Sequence, residues 1–261
     1  MKNNKDQMIF AIKVLGAVLI VTFLSLILRL IIGSNLLVSE NSGFGWFVGI
    51  LGTFYTFIAA FIIVTVWGQF NGMSSMVSRE AKLLSSLWNY TDYLNDEQVS
   101  GKMKTALLEY IDKIVRSEKY DLSRGKRIVH PSVELIGILE SIDKVKFDDD
   151  RDASAFSSLI QSYEELSSTR SERIESGLAR VPFLLKLLHG ILALLLLVSI
   201  GLIGYVNIGI FLFAIISSAL FVSMAFFLAD DLDNPFEGIW NIDFSPFEHI
   251  REYIERKKHG K

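Results

Sequence analysis

Four stretches of this chain are long, apolar and almost free of charge: Met8 to Ile32, Phe44 to Phe70, Pro182 to Tyr205 and Ile208 to Ala229. Each supplies the roughly 20 apolar residues that a helix needs to cross a bilayer core. Lys13 and Arg29 lie near the ends of the first, where long basic side chains reach the headgroups. Lys2 and Lys5 before it raise the rival reading of a secretory leader. The run is longer than a leader's apolar region, and Arg29-Leu30-Ile31-Ile32 follows where a small-residue cleavage site would stand. Lys186 and His189 lie in the first two turns of the third stretch. Only Tyr205, Val206 and Asn207 separate the third from the fourth, which predicts a tight antiparallel hairpin. Four membrane helices are expected.

Between the second and third spans the pattern changes. Residues 71–180 hold 16 Lys and Arg against 19 Asp and Glu, and their apolar positions recur at threes and fours. One helix is read through Met76, Leu83, Leu87, Trp88, Thr91 and Leu94. A second follows a start signal at Asp96-Glu97 and carries Val99, Met103, Leu107, Tyr110, Ile111 and Ile114. A third begins near Pro131 with Val133, Ile136, Leu139 and Ile142, and a fourth near Asp152 with Phe156, Leu159, Ile160, Tyr163 and Leu166. Asp121 to Arg127 and Asp148-Asp149-Asp150 read as loops. The expected fold is an all-α membrane protein whose soluble part is one helical domain. Its divisions are 1–70 (N-terminus and spans one and two), 71–180 (soluble domain), 181–229 (span hairpin) and 230–261 (tail).

Charge orients these parts. The loop between spans one and two carries one charge, Glu40, and the turn between spans three and four none. Lys2, Lys5, the middle domain and Arg256-Lys257-Lys258 hold basic residues, which stay cytoplasmic. Both termini and residues 71–180 are therefore expected inside a plasma (inner) membrane. The net charge of −3 argues against a nucleic-acid partner. Zero cysteines exclude disulfides, thiolate metal sites and thiol catalysis. The 51% hydrophobic content and mean hydropathy of +0.38 exclude a soluble single-domain enzyme.

Nothing in the sequence supports an enzyme of another kind. Ser123-Arg124-Gly125-Lys126 lacks the upstream glycine of a phosphate loop. His130, His189, His249 and His259 stand in separate segments without metal-ligand spacing. No cofactor is indicated, apart from one place where Ca²⁺ or Na⁺ is conceivable. Asp230, Asp231 and Asp233 sit at the C-terminal end of span four, ahead of Asn234, Pro235 and Phe236. Carboxylates at the negative end of a helix dipole cost about 0.3–1 kcal/mol each and call for compensation. Arg170, Arg173 or Arg180, backbone N–H groups after the turn, or a cation held by the three aspartates would each supply it.

Span two carries two stripes. Gly45, Gly49, Gly52, Thr56 and Ala59 are small and permit close helix approach. Phe47, Leu51, Phe54, Ile58, Phe61 and Thr65 form a second, bulky face. That face either meets lipid and core or, one copy per subunit, forms an apolar constriction that gates a pore by dewetting.

Three segments also carry a family resemblance. GILGTFYTFIAAFIIVTVWGQFNGMSSMVSREAKLLSSLWNYTDYL, TRSERIESGLARVP and DLDNPFEGIWNID together resemble the bestrophin-like family, relatives of the bestrophin ion channels, over most of Phe44–Asp243. The resemblance implies four spans, cytosolic termini, a helical cytosolic body and a pentameric pore lined by span two. One departure stands out. Animal bestrophins place their Ca²⁺-clasping acids after Asn-Pro-Phe-Gly, whereas here the aspartates precede the turn and only Glu237 follows closely. The expected function is an oligomeric channel for inorganic ions, anions such as chloride, with Phe54, Ile58, Phe61 and Thr65 facing the pore. The alternative is a non-conducting membrane-anchored interaction or signalling protein that uses its helical cytosolic domain.

Overall fold

The computed structural model describes residues 4–32, 43–94, 96–128, 131–146 and 150–256. The loop from 33 to 42 with Glu40, the histidines at 130 and 259, Asp148 and Asp149, and the basic residues at 2, 257 and 258 lie outside them. The described elements are helices α1 (Asn4–Ile32), α2 (Gly43–Tyr93), α3 (Glu97–Lys113), α4 (Lys119–Ser123), α5 (Val133–Ile142), α6 (Asp150–Leu178), α7 (Phe183–Leu202), α8 (Ile208–Asp233) and α9 (Ser245–Arg256). A π-helical turn, Ile114–Glu118, joins α3 to α4. No strand occurs among the described residues.

The caps follow from local chemistry. The Asp96 carboxylate accepts the backbone N–H groups of Gln98 and Val99 at 2.8 and 3.1 Å, so α3 begins where the Asp-Glu signal expects. Ser132, not Pro131, caps α5 by accepting the N–H of Leu135. Pro182 precedes α7 with no donor to leave unsatisfied. The expected loop at Asp121–Arg127 is helical through Ser123, because the π turn carries the helix onward.

The chain divides into two compact units, residues 1–68 with 180–240 and residues 69–179 with 241–261. The first contains α1, the first half of α2, α7 and α8. Val18, Tyr55, Ala59, Leu196, Ile200, Phe211, Ile215 and Val222 form its core. Small residues set the helix spacing. A Cβ on Gly52 would sit 3.6 Å from Leu196, and one on Gly201 would sit 3.6 Å from the Ser25 hydroxyl. Outside this core, Leu19, Phe23, Phe57, Val64, Leu194 and Phe213 are exposed, an arrangement water would penalise and lipid tails would not. Among the described residues four helices are long and apolar enough to cross a membrane.

The second unit is built like a soluble domain. Met73, Val77, Leu84, Leu87 and Trp88 of α2, Met103, Leu107 and Ile111 of α3, Leu135 and Ile138 of α5, and Leu159 and Leu166 of α6 are all buried. α9 adds Phe247 and Ile254 from its apolar face. Just ahead of it stands Asp243, whose carboxylate accepts the Ser245 N–H at 2.9 Å and its hydroxyl at 2.7 Å. These bonds hold the Asp243 carboxyl below its usual range, the backbone bond most of all.

Candidate functional site

α2 presents two different faces inside the first unit. Tyr55, Ala59, Ile62 and Val66, spaced at fours and threes, are buried. Phe54, Ile58, Phe61 and Thr65 occupy the adjoining face, with Phe54 61% and Phe61 60% exposed. Thr65 donates its hydroxyl to the Phe61 carbonyl at 2.8 Å, so this stripe places no unpaired hydroxyl in an apolar setting. The small stripe is divided: Gly52 and Ala59 meet neighbours, while Gly45, Gly49 and Thr56 are exposed.

The acidic turn resolves into three different aspartates. Asp233, 5% exposed, accepts the Val181 backbone N–H at 2.7 Å and Lys186 Nζ at 2.6 Å. Asp231 accepts the N–H groups of Ile239 and Trp240, each at 3.1 Å. Asp230 is exposed. Asn234 takes a hydrogen bond from Arg180 at 3.3 Å and, at 3.5 Å, from the Phe236 N–H, while Pro235 and Phe236 are buried. The chain folds back at Gly238, whose φ of 85° suits glycine alone; a Cβ there would also collide with the Asp231 carboxylate. The unfavourable end of the helix dipole is thus met by backbone donors and one lysine. Trp240 meets Trp67 edge to face at 5.3 Å. Among the described residues no three His, Asp or Glu side chains converge as metal ligands would.

Two of the three arginines expected at this turn lie elsewhere. Arg170 and Arg173 are fully buried in the second unit. Arg173 donates to Glu80 through Nε at 2.5 Å and Nη2 at 3.2 Å, and to Glu118 at 2.5 Å. Arg170 donates to Glu118 at 2.6 Å and lies over the Tyr110 ring at 5.2 Å. The Tyr110 hydroxyl donates to Glu80 at 2.5 Å. Two guanidinium groups and two carboxylates cancel, which is why burying them together is tolerable. Burial opposes the charge on Arg173, but Glu80 and Glu118 outweigh it and raise its pKa. Burial, then Glu80, pushes the Tyr110 phenol well above its ordinary range.

Sequence reasoning passed over Glu80 and Glu118 and read Tyr110 only as an apolar position, yet a signal was there. Glu80 interrupts the stripe Met73, Val77, Leu84, Leu87; Glu118 extends Leu107, Ile111, Ile114; Arg170 and Arg173 extend Leu159 and Leu166. A charge in an apolar stripe is a charge that needs a buried partner.

The membrane helices have their own polar node. His189 Nε2 lies 3.2 Å from the Tyr55 hydroxyl, which donates to the Val222 carbonyl at 3.3 Å, so α2, α7 and α8 meet in one hydrogen-bonded chain. At the other end of the bundle Arg29 donates to the Tyr205 carbonyl at 2.5 Å and lies over the Phe211 ring.

Apolar exteriors on four long helices define an all-α integral membrane protein. The sequence profile of the Bestrophin-like domain matches residues 13–247, and the chain belongs to the bestrophin-like family. Solved structures share its fold. An Ile-to-Thr variant of a bacterial bestrophin homologue from Klebsiella pneumoniae matches with a TM-score of 0.65 at 14% identity, over 94% of this chain and 98% of that one. A Trp-to-Ala variant of that homologue matches with a TM-score of 0.62 at 15% identity, over 94% of each chain. The same homologue phased on zinc matches with a TM-score of 0.58 at 15% identity, over 94% of this chain and 96% of that one. No curated protein matches the chain in sequence.

Proposed function

We propose that this protein is an ion channel: a homo-oligomer, a pentamer, whose α2 helices surround the conducting axis and pass anions such as chloride. The observation that carries this reading is the division of α2. One face enters the bundle core through Tyr55, Ala59, Ile62 and Val66, and the adjoining face offers Phe54, Ile58, Phe61 and Thr65 to whatever surrounds the protomer. Membership of the bestrophin-like family supports placing that face on a shared axis. Rings of these residues then form an apolar neck, which gates by excluding water and favours ions that shed hydration readily. The neck holds no charge, so the selectivity it imposes is by hydration and size. Residues 71–180 and both termini face the cytoplasm of the plasma (inner) membrane, as the distribution of basic residues favours. The acidic turn acts as a docking point that joins the end of α8 to the start of α7.

The test is direct. In detergent the particle has several times the 29.4 kDa mass of one chain, and in liposomes it carries chloride down a gradient. A monomer or dimer without flux overturns the channel and favours a membrane-anchored interaction protein.

A further inference from the structure

We infer that His189 is a proton-operated latch between α2, α7 and α8, so that acid loosens the membrane bundle and changes conduction. The regulatory effect on conduction rests on the channel reading above; the latch itself does not. His189 is 2% exposed, and its imidazole lies between the Tyr55 and Phe226 rings, with centroids at 5.4 and 5.3 Å. A phenol has one proton. Because Tyr55 gives its proton to Val222, the Tyr55 oxygen is left to accept from His189, which assigns the neutral imidazole its proton at Nε2.

The surroundings explain why a second proton matters. His189 lines a cavity of about 30 Å³ together with Ile62, Val181, Lys186, Phe226, Ala229 and Asp230. A space of this size admits about one water molecule. The charged groups that line it are Lys186 from α7 itself and Asp230 from α8, and Tyr55 from α2 meets the imidazole directly. Asp233 of α8 is committed to Lys186 and the Val181 N–H. From α1, Asp6 and Lys13 face Asp230 across a separate cavity. An imidazolium would stand one turn from the Lys186 ammonium, among aromatic rings and with Asp230 as the carboxylate that lines its cavity. Histidine is the side chain whose ordinary charge change lies between about pH 5 and pH 8. Acid therefore places two cations on one helix turn and draws Asp230 inward. The second proton enters at Nδ1, so the Nε2–H bond to Tyr55 stays while the repulsion on α7 strains its packing against α2, where Tyr55 adjoins the face that carries Phe54 and Ile58.

The test compares the full-length wild type with His189→Gln, whose amide N–H substitutes for Nε2 without titrating. From about pH 8 to about pH 5 the wild type loses about 2–4 °C more in Tm than the variant, the shift expected of a one-kcal/mol effect in a chain of this size. Chloride flux in liposomes depends on pH in the wild type and is flat in the variant. Equal Tm profiles for the two proteins overturn the latch whatever the flux does. A differential Tm profile with no flux at any pH upholds the latch and removes the channel reading. A wild-type flux whose pH dependence survives in His189→Gln assigns that dependence to another group and overturns the regulatory role. If His189→Gln does not fold, His189→Asn is the second variant, read in the same two ways.

Discussion

Arg173 grips Glu80 with two donors, Nε at 2.5 Å and Nη2 at 3.2 Å, and neither side chain is exposed. The pair closes a ring of charge in which Glu118 bridges Arg173 and Arg170. Such a ring contributes little when complete and much when broken, because a partner left alone is a buried charge.

Arg173→Ala should therefore destabilise the protein by about 3–5 kcal/mol. Exchanging Glu80 and Arg173 together for Leu and Met should recover most of that loss. Thermal unfolding of the solubilised protein reads both. A double variant no better than the single one would show that the pair contributes more than its own charge balance.

Tyr110 gives the same ring an alkaline limit. Its phenol holds its proton more tightly in the folded chain than in the unfolded one, where tyrosine titrates near pH 10. Above about pH 10 the folded state binds more protons, so stability is complete below that pH and falls as pH rises. Tyr110→Phe should show a shallower alkaline decline. It should also be less stable at neutral pH, by about 1–3 kcal/mol, because Glu80 loses its donor. Unfolding midpoints measured across the alkaline range check this.

The three aspartates at the end of α8 should respond differently. Asp233→Ala strands the Val181 N–H and Lys186 and should cost about 1–3 kcal/mol. Asp230→Ala should change little or stabilise slightly, since an exposed carboxylate leaves the negative end of a helix. Added Ca²⁺ should leave the melting temperature unchanged. A Ca²⁺-dependent rise that disappears in Asp233→Ala would replace the docking role with a cation site.

Gly238→Ala combines a left-handed backbone with a Cβ driven into the Asp231 carboxylate, and Asp231 in turn holds the Ile239 and Trp240 N–H groups. Strain at such a residue amounts to about 1–3 kcal/mol. Gly125→Ala has a similar φ, 68°, and open space around it, so it should lose less. Equal losses would mean that the backbone alone, without the Asp231 contact, decides the turn.

At the proposed neck, Ile58→Ala or Phe61→Ala should raise chloride flux in liposomes, because a wider apolar ring wets more readily. Stability should fall only modestly, since Phe61 is 60% exposed and gives up little packing. Unchanged flux with altered stability would return this face to lipid.

The four spans and the helical soluble part were legible in the sequence, because hydrophobic runs and 3.6-residue periodicity are local properties of the chain. So was the start of α3 at Asp96, a cap made within three residues. The acidic turn was legible as a problem of uncompensated charge, but its answer was not. Lys186 and Val181 lie about 50 residues from Asp233 along the chain, and only the packing of α7 against α8 brings them together. Arg170 and Arg173 show the reason most plainly. Along the chain they approach span three, which makes the acidic turn their apparent partner; in the fold they lie on the buried face of α6, opposite Glu80 and Glu118. Charge and spacing determine that a buried group needs a partner, whereas the choice among distant partners belongs to tertiary packing, which sets which faces lose water together.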